Sequence, residues 1–153
     1  MKKIELTQNK VALVDDDDFV RLNAFKWCFG NGYAMRSIRK PDGKKGWYMH
    51  WDILGRPSKG LGIDHKDMNR LNNQKNNLRI STTSQNQMNR GKQKNNTAGF
   101  KGVSWHKGGK KWRTRISLDG KNMDLGYFST AEEAYKVYCE ACVKYHGEFS
   151  NIG

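Results

Sequence analysis

Residues 63–89, IDHKDMNRLNNQKNNLRISTTSQNQMN, decide how this chain is read. Ile63 leads into Asp64 and His65, and Asn77-Leu78-Arg79-Ile80 reads as a second strand after a loop rich in asparagine. Thr82-Thr83-Ser84-Gln85 is a capping-box pattern, in which a hydroxyl and an amide three residues apart satisfy the first amides of a helix. Asn86 then falls in the first turns of that helix. A strand pair and a helix thus carry an acid, a histidine and asparagines on one small frame.

Those residue types suit phosphodiester hydrolysis, which asks for a hard cation to neutralise developing charge, a base to activate water, and a rigid frame. Asp64 and Asn86 offer oxygen ligands of the kind magnesium takes. His65, with an unperturbed pKa of roughly 6.5, is poised to accept a proton near neutrality. Asn72, Asn73 and Asn76 are also common turn formers, and Asp67 is a further candidate carboxylate. His50 reads either as a support or phosphate contact for the site, or as a packed histidine on an apolar strand.

The chain of 153 residues holds one ordinary domain or two small ones. Its 28 Lys and Arg against 15 Asp and Glu leave a charge of +13, a field that attracts a polyanion. No apolar run approaches the roughly 20 residues of a spanning helix, and the first residues lack the apolar stretch of a signal peptide. The partner expected is nucleic acid rather than a membrane, and the chain reads as intracellular. Cys28, Cys139 and Cys142 are too few for a disulfide framework. The Cys139/Cys142 pair lacks the second pair that a zinc site needs, so burial of Cys142 on a helical stripe with Tyr135, Tyr138 and Tyr145 is expected instead.

Residues 1–48 alternate apolar runs such as Val11–Val14 with turn signals at Gly30-Asn31-Gly32 and Pro41-Asp42-Gly43. Asp15 to Asp18 precede a short helical pattern, where they cap it and complement its dipole. Residues 49–90 carry the chemistry, and residues 91–97 form a polar, basic linker. Residues 98–153 show alternating strands with turns at Gly108-Gly109 and Asp119-Gly120. A helix follows, with Ser129-Thr130-Ala131-Glu132 as its capping box and Gly147 as its stop.

The run from Ile63 to Asn89 closely resembles the HNH endonucleases, in particular the phage and intron-encoded homing type, whose signature opens with Asp-His and ends with a helical Asn. The resemblance implies a ββα-metal finger that cuts DNA, with Asp64 and Asn86 as ligands of one Mg2+ or Mn2+ ion and His65 as general base. It implies for Asn77 a bond across the hairpin that orients the His backbone, and for Asn73 a structural part. Met49-His50 ahead of Ile53-Leu54 also matches that family.

Residues 97–152 resemble the APETALA-type domain of plant ethylene-response factors through Gly99-Phe100-Lys101-Gly102-Val103, Lys111–Ile116, Leu125-Gly126-Tyr127-Phe128 and Thr130–Tyr135. That resemblance implies a three-stranded sheet entering the major groove with a helix behind it. Strand alternation independently puts Trp112, Thr114 and Ile116 on one face and Arg113, Arg115 and Ser117 on the other. Arg113 and Arg115 are the candidates for base contacts, and Lys101, His106, Lys110 and Lys121 for positioning. Asp124 stands where plant members usually have Trp, and an acid facing DNA repels phosphate.

The fold class expected is α+β: a strand-rich start, a ββα-metal finger, and a three-stranded antiparallel sheet packed on one helix. The function that the resemblance implies is a metal-dependent endonuclease on double-stranded DNA in the cytoplasm of a bacterial or phage-infected cell, a monomer nicking one strand and a dimer being needed for a double break. The alternatives are a DNA-binding regulator with an idle finger, and an RNA-binding protein stacking bases on Trp47, Trp105 or Tyr127.

Overall fold

Short apolar alternations build the first strands. In the computed structural model, which describes residues 1–41 and 43–153, β1 (Lys2–Glu5) and β2 (Val11–Val14) form an antiparallel hairpin. Its register sets Ile4 opposite Ala12, so one face buries Ile4, Ala12 and Val14 and the other meets solvent. Helix α1 (Asp16–Asn23) adds Leu22 to that core, and Trp27 seals it by donating its indole N–H to the Leu22 carbonyl at 2.8 Å. Strands β3 (Cys28–Gly30), β4 (Tyr33–Lys40) and β5 (Gly43–Tyr48) form an antiparallel meander. Asn31-Gly32, with φ of 54° and 85°, makes the two-residue turn between the first two strands. The expected Pro41-Asp42-Gly43 turn includes Asp42, outside the described residues.

Helix α2 (Met49–Leu54) follows, then the paired strands β6 (Leu61–His65) and β7 (Leu78–Thr82). His50 therefore sits on a helix and not on a strand: Tyr48 takes the extended N-cap conformation and the chain turns helical at Met49. The acids before α1 also act differently from expectation. Asp16, Asp17 and Asp18 lie in the first turn, but Asp15, at the N-cap, makes no side-chain capping bond. Its carboxylate accepts instead from Lys75 N at 2.8 Å and Gln74 Nε2 at 3.1 Å, while buried Asp18 pairs with Arg21 and Lys75. The acidic run thus anchors the loop between β6 and β7.

The chain forms two compact units, Met1–Ser81 and Thr82–Gly153. The second opens with α3 (Thr83–Met88), whose capping box joins Thr82 and Gln85 as the sequence indicates. Strands β8 (Val103–His106), β9 (Lys111–Leu118) and β10 (Lys121–Phe128) make an antiparallel sheet in the order β10-β9-β8. Asp119-Gly120 closes the β9–β10 hairpin at φ of 47° and 77°.

Helix α4 (Ala131–His146) packs its Ala134, Tyr138 and Cys142 on one sheet face, over Val103 and Ile116. Its capping box is Thr130 with Glu133, one residue beyond the expected Ser129–Glu132 pair. Cys142 is buried with Tyr138, but Tyr145 is 41% exposed, because His146, four residues after Cys142, takes the buried row. Gly147 ends the helix at φ 52°. The run 91–97 lies back on this unit: Lys92 donates to the Gly99 carbonyl at 2.9 Å, and Asn96 to that of Phe100 at 2.8 Å. Among the described residues, no helix is long and apolar enough to cross a membrane.

Candidate nuclease site and basic sheet face

His65 ends β6 and is 4% exposed. Burial pushes its imidazole below the ordinary value of 6.5, opposed by a hydrogen bond to Asn73 and by the Asp67 and Asp64 carboxylates. The Asn73 side chain is buried, and its Nδ2 donates to the Leu71 carbonyl at 3.2 Å. That bond turns the Asn73 Oδ1 toward His65 Nε2, 3.4 Å away. An oxygen facing Nε2 favours the tautomer with its proton there, which leaves Nδ1 as the basic nitrogen of the neutral ring.

His50 lies beside this histidine, with ring centroids 5.4 Å apart and nearly perpendicular. It stacks on Tyr48 at 5.2 Å and meets the edge of Tyr33 at 5.5 Å. Its Nδ1 is buried without a hydrogen-bond partner among the described residues. Burial, assisted by His65, pushes its pKa down to about 3. His50 is thus a neutral packing partner of His65, supplied by α2.

The asparagine-rich loop is a hydrogen-bonded frame. Buried Asn77 accepts from Asp67 N at 3.0 Å, and donates to the Asp67 carboxylate at 2.9 Å and to the Asn72 carbonyl at 2.8 Å. These side-chain bonds cross the hairpin and grip the turn just after His65. Asp67 accepts as well from Asn69 N and Asn72 Nδ2, at 2.8 Å each. It organises the loop.

The first hairpin braces this loop, with Leu13 N donating to Leu71 O and Asn73 N to Leu13 O, at 2.8 Å each. The first hairpin thus supports the loop between β6 and β7. Hydrogen-bond capacity at Asn72, Asn73 and Asn77 was the sequence signal for that frame; the part played by Leu13 left none, since it acts through its backbone.

Asp64, also buried, meets Arg79 on the paired strand, with Nη2 at 2.7 Å and Nε at 2.8 Å from one carboxylate oxygen. Asn86 is exposed on α3. Among the described residues, no group of three or more His, Cys, Asp or Glu is arranged to hold a metal ion. A zinc-type cage therefore lacks its ligands there, while the Asp64 carboxylate and the Asn86 amide oxygen are each donors of the chemical type that a magnesium-like ion takes.

In the second unit, β9 directs Arg113, Arg115 and Ser117 away from α4. Lys111, two residues before Arg113, shares their face by alternation and is an addition to the expected set. Lys110 and Lys121 are exposed at the two hairpin ends. His106 accepts from Gly109 N at 3.0 Å, which shapes the β8–β9 turn, and its ring lies 5.1 Å from Tyr127.

Lys101 turns into its own unit, unlike the exposed Lys110 and Lys121. Its ammonium donates to the carbonyls of Met88 at 2.8 Å and Asn151 at 2.7 Å, and burial lowers its pKa. Arg90 and Lys92 instead join Arg115 along a cavity of about 620 Å3 in this unit.

Residues 54–88 match the family model described as HNH endonuclease. No solved structure matches the chain. It is 34% identical over 103 residues to Protein 3.8 of Escherichia phage T7, an alignment spanning 67% of this chain and 84% of that protein. With that identity over most of the phage protein's length, the chain belongs to the family of T7 Protein 3.8, and it carries an HNH endonuclease segment at residues 54–88.

Proposed function

We propose that the chain is a metal-dependent DNA endonuclease that nicks one strand of a duplex held by the basic face of its second unit. The observation that carries this reading is the coincidence of the HNH-matching segment with a buried Asp64-His65 pair whose imidazole is oriented by Asn73. Asp64 and Asn86 are the residues to hold a divalent ion, an assignment that rests on their place in the matched segment. Such an ion supplies charge stabilisation at the phosphate.

His65 holds the proton at Nε2 toward Asn73 and takes a water proton at Nδ1, the step that produces the attacking hydroxide. Burial lowers its pKa, which favours the neutral ring that can accept a proton. Asn77 fixes the turn that carries the histidine. One such site per chain offers one cut, hence a nick from a monomer.

The reading is tested on supercoiled plasmid with magnesium, comparing wild type and His65→Ala on a gel that separates nicked from linear DNA. Nicking by the wild type alone is expected, with duplex binding preserved in the variant. Equal cutting by both proteins refutes the role of His65. A second reading, a duplex-binding regulator that does not cut, is favoured by the Asp64–Arg79 pair, since a carboxylate gripped by a guanidinium is a poorer metal ligand. Duplex binding by both proteins with no cutting at any magnesium concentration selects it.

A further inference from the structure

Asp124 and Tyr127 are three residues apart, a spacing that would put them on opposite faces of an unbroken strand. The register of β10 against β9 slips between Asp124, opposite Arg115, and Gly126, opposite Thr114. Leu125 is the extra residue, and it joins the core under α4. This bulge puts Asp124 and Tyr127 on one face, on either side of the Arg113 guanidinium.

The Asp124 carboxylate takes Arg113 Nε and Nη2 at 2.6 Å each, and the guanidinium stands 5.8 Å from the Tyr127 ring centre. Arg115 Nε lies 3.9 Å from the same carboxylate. Asp124 therefore occupies one edge of the Arg113 fork. The opposite edge, Nη1 with the second hydrogen of Nη2, has no hydrogen-bond partner among the described residues.

We propose that Asp124 is a specificity-determining positioning residue, holding Arg113 so that its outer Nη1/Nη2 edge reads a guanine in the major groove of duplex DNA. The inference rests on the reading of this face as duplex-binding and adds the base that it recognises. Two parallel N–H donors match two neighbouring acceptors, and guanine presents such a pair, O6 and N7, in the major groove. A phosphate is the poorer partner, because its charge would meet the carboxylate 2.6 Å from the guanidinium nitrogens. A neutral base edge carries no such penalty. A lone arginine would spread over many rotamers, whereas one gripped at Nε presents a single edge.

The test is selection from a duplex library with randomised positions, using the full chain in EDTA at fixed salt, with wild type, Arg113→Ala, Asp124→Ala and Asp124→Glu. Wild type is expected to select guanine at one position by about tenfold to a hundredfold, and Arg113→Ala to lose that preference. Asp124→Ala should lose most of it while its affinity for random duplex holds or rises, since an acid has gone. Asp124→Glu should restore part of it.

Guanine selection undiminished in Asp124→Ala overturns the proposal. So does equal loss of selected and random binding in Asp124→Ala with an unchanged circular dichroism spectrum, because a positioning role moves only the preference. Wild-type binding without base preference removes the guanine assignment and leaves the duplex-binding reading intact. Absence of salt-sensitive wild-type binding removes both.

Discussion

Acid should weaken the first unit through His50. Its pKa is pushed down to about 3 in the folded chain, while the unfolded chain titrates near the ordinary 6.5. A depressed folded value means that the unfolded state binds the extra proton first, so the histidine's contribution to stability is whole above about pH 6.5 and is lost progressively as pH falls toward 3. At pH 5 the loss is about 2 kcal/mol, from roughly 1.36 kcal/mol per pH unit. For a domain of ordinary stability, about 5–15 kcal/mol, that is a large fraction. The assay is urea unfolding at pH 7 and pH 5, followed by the indole N–H resonance of Trp27, which belongs to the first core. His50→Phe keeps an aromatic ring against Tyr48 and removes the titration. The gap in stability between the two pH values should shrink in this variant by about 2 kcal/mol. An unchanged gap would mean that the ring is protonated or solvated in the folded chain, and the argument from burial would fail.

Asn77→Ala removes three side-chain hydrogen bonds and should cost about 2–4 kcal/mol in the same assay, with plasmid nicking falling further than stability does. Lys101→Met should lower the melting temperature of the second unit, since two carbonyls lose their donor, and leave the salt dependence of duplex binding unchanged. A shallower salt slope would restore Lys101 as a phosphate contact. Gly102→Ala should cost the second unit about 2 kcal/mol or more, because φ is +76° and the new Cβ would overlap the Tyr138 ring. A calorimetric melt of each variant reads these effects.

Much of the architecture was legible where local chemistry decides it. Thr82 with Gln85, Asn31-Gly32 and Asp119-Gly120 each carry their own geometry, and the alternation of Trp112, Thr114 and Ile116 fixed which face of β9 meets the helix. Errors arose where two neighbours compete for one role, as Ser129 and Thr130 do for the N-cap of α4. Others arose where a distant partner claims a side chain. Asp15 was available as a cap until Lys75 and Gln74 took its carboxylate from sixty and fifty-nine residues away. Lys101 looked like any surface cation because its stem hides its destination. In the candidate site, the residue types of Asp64, His65, Asn73 and Asn77 were readable, but the Arg79 grip on Asp64 and the His50 ring beside His65 depend on how strands and helix meet. The bulge at Leu125 is visible only against the register of β9.

The backbone bonds from Leu13 to residues 71 and 73 bear on portability. Residues 49–90 cut out and grafted into another protein would carry every side chain assigned to the chemistry but not the hairpin that braces their loop. The smallest transferable cassette must begin with the first hairpin, and a crossover belongs before Lys2 rather than at Met49.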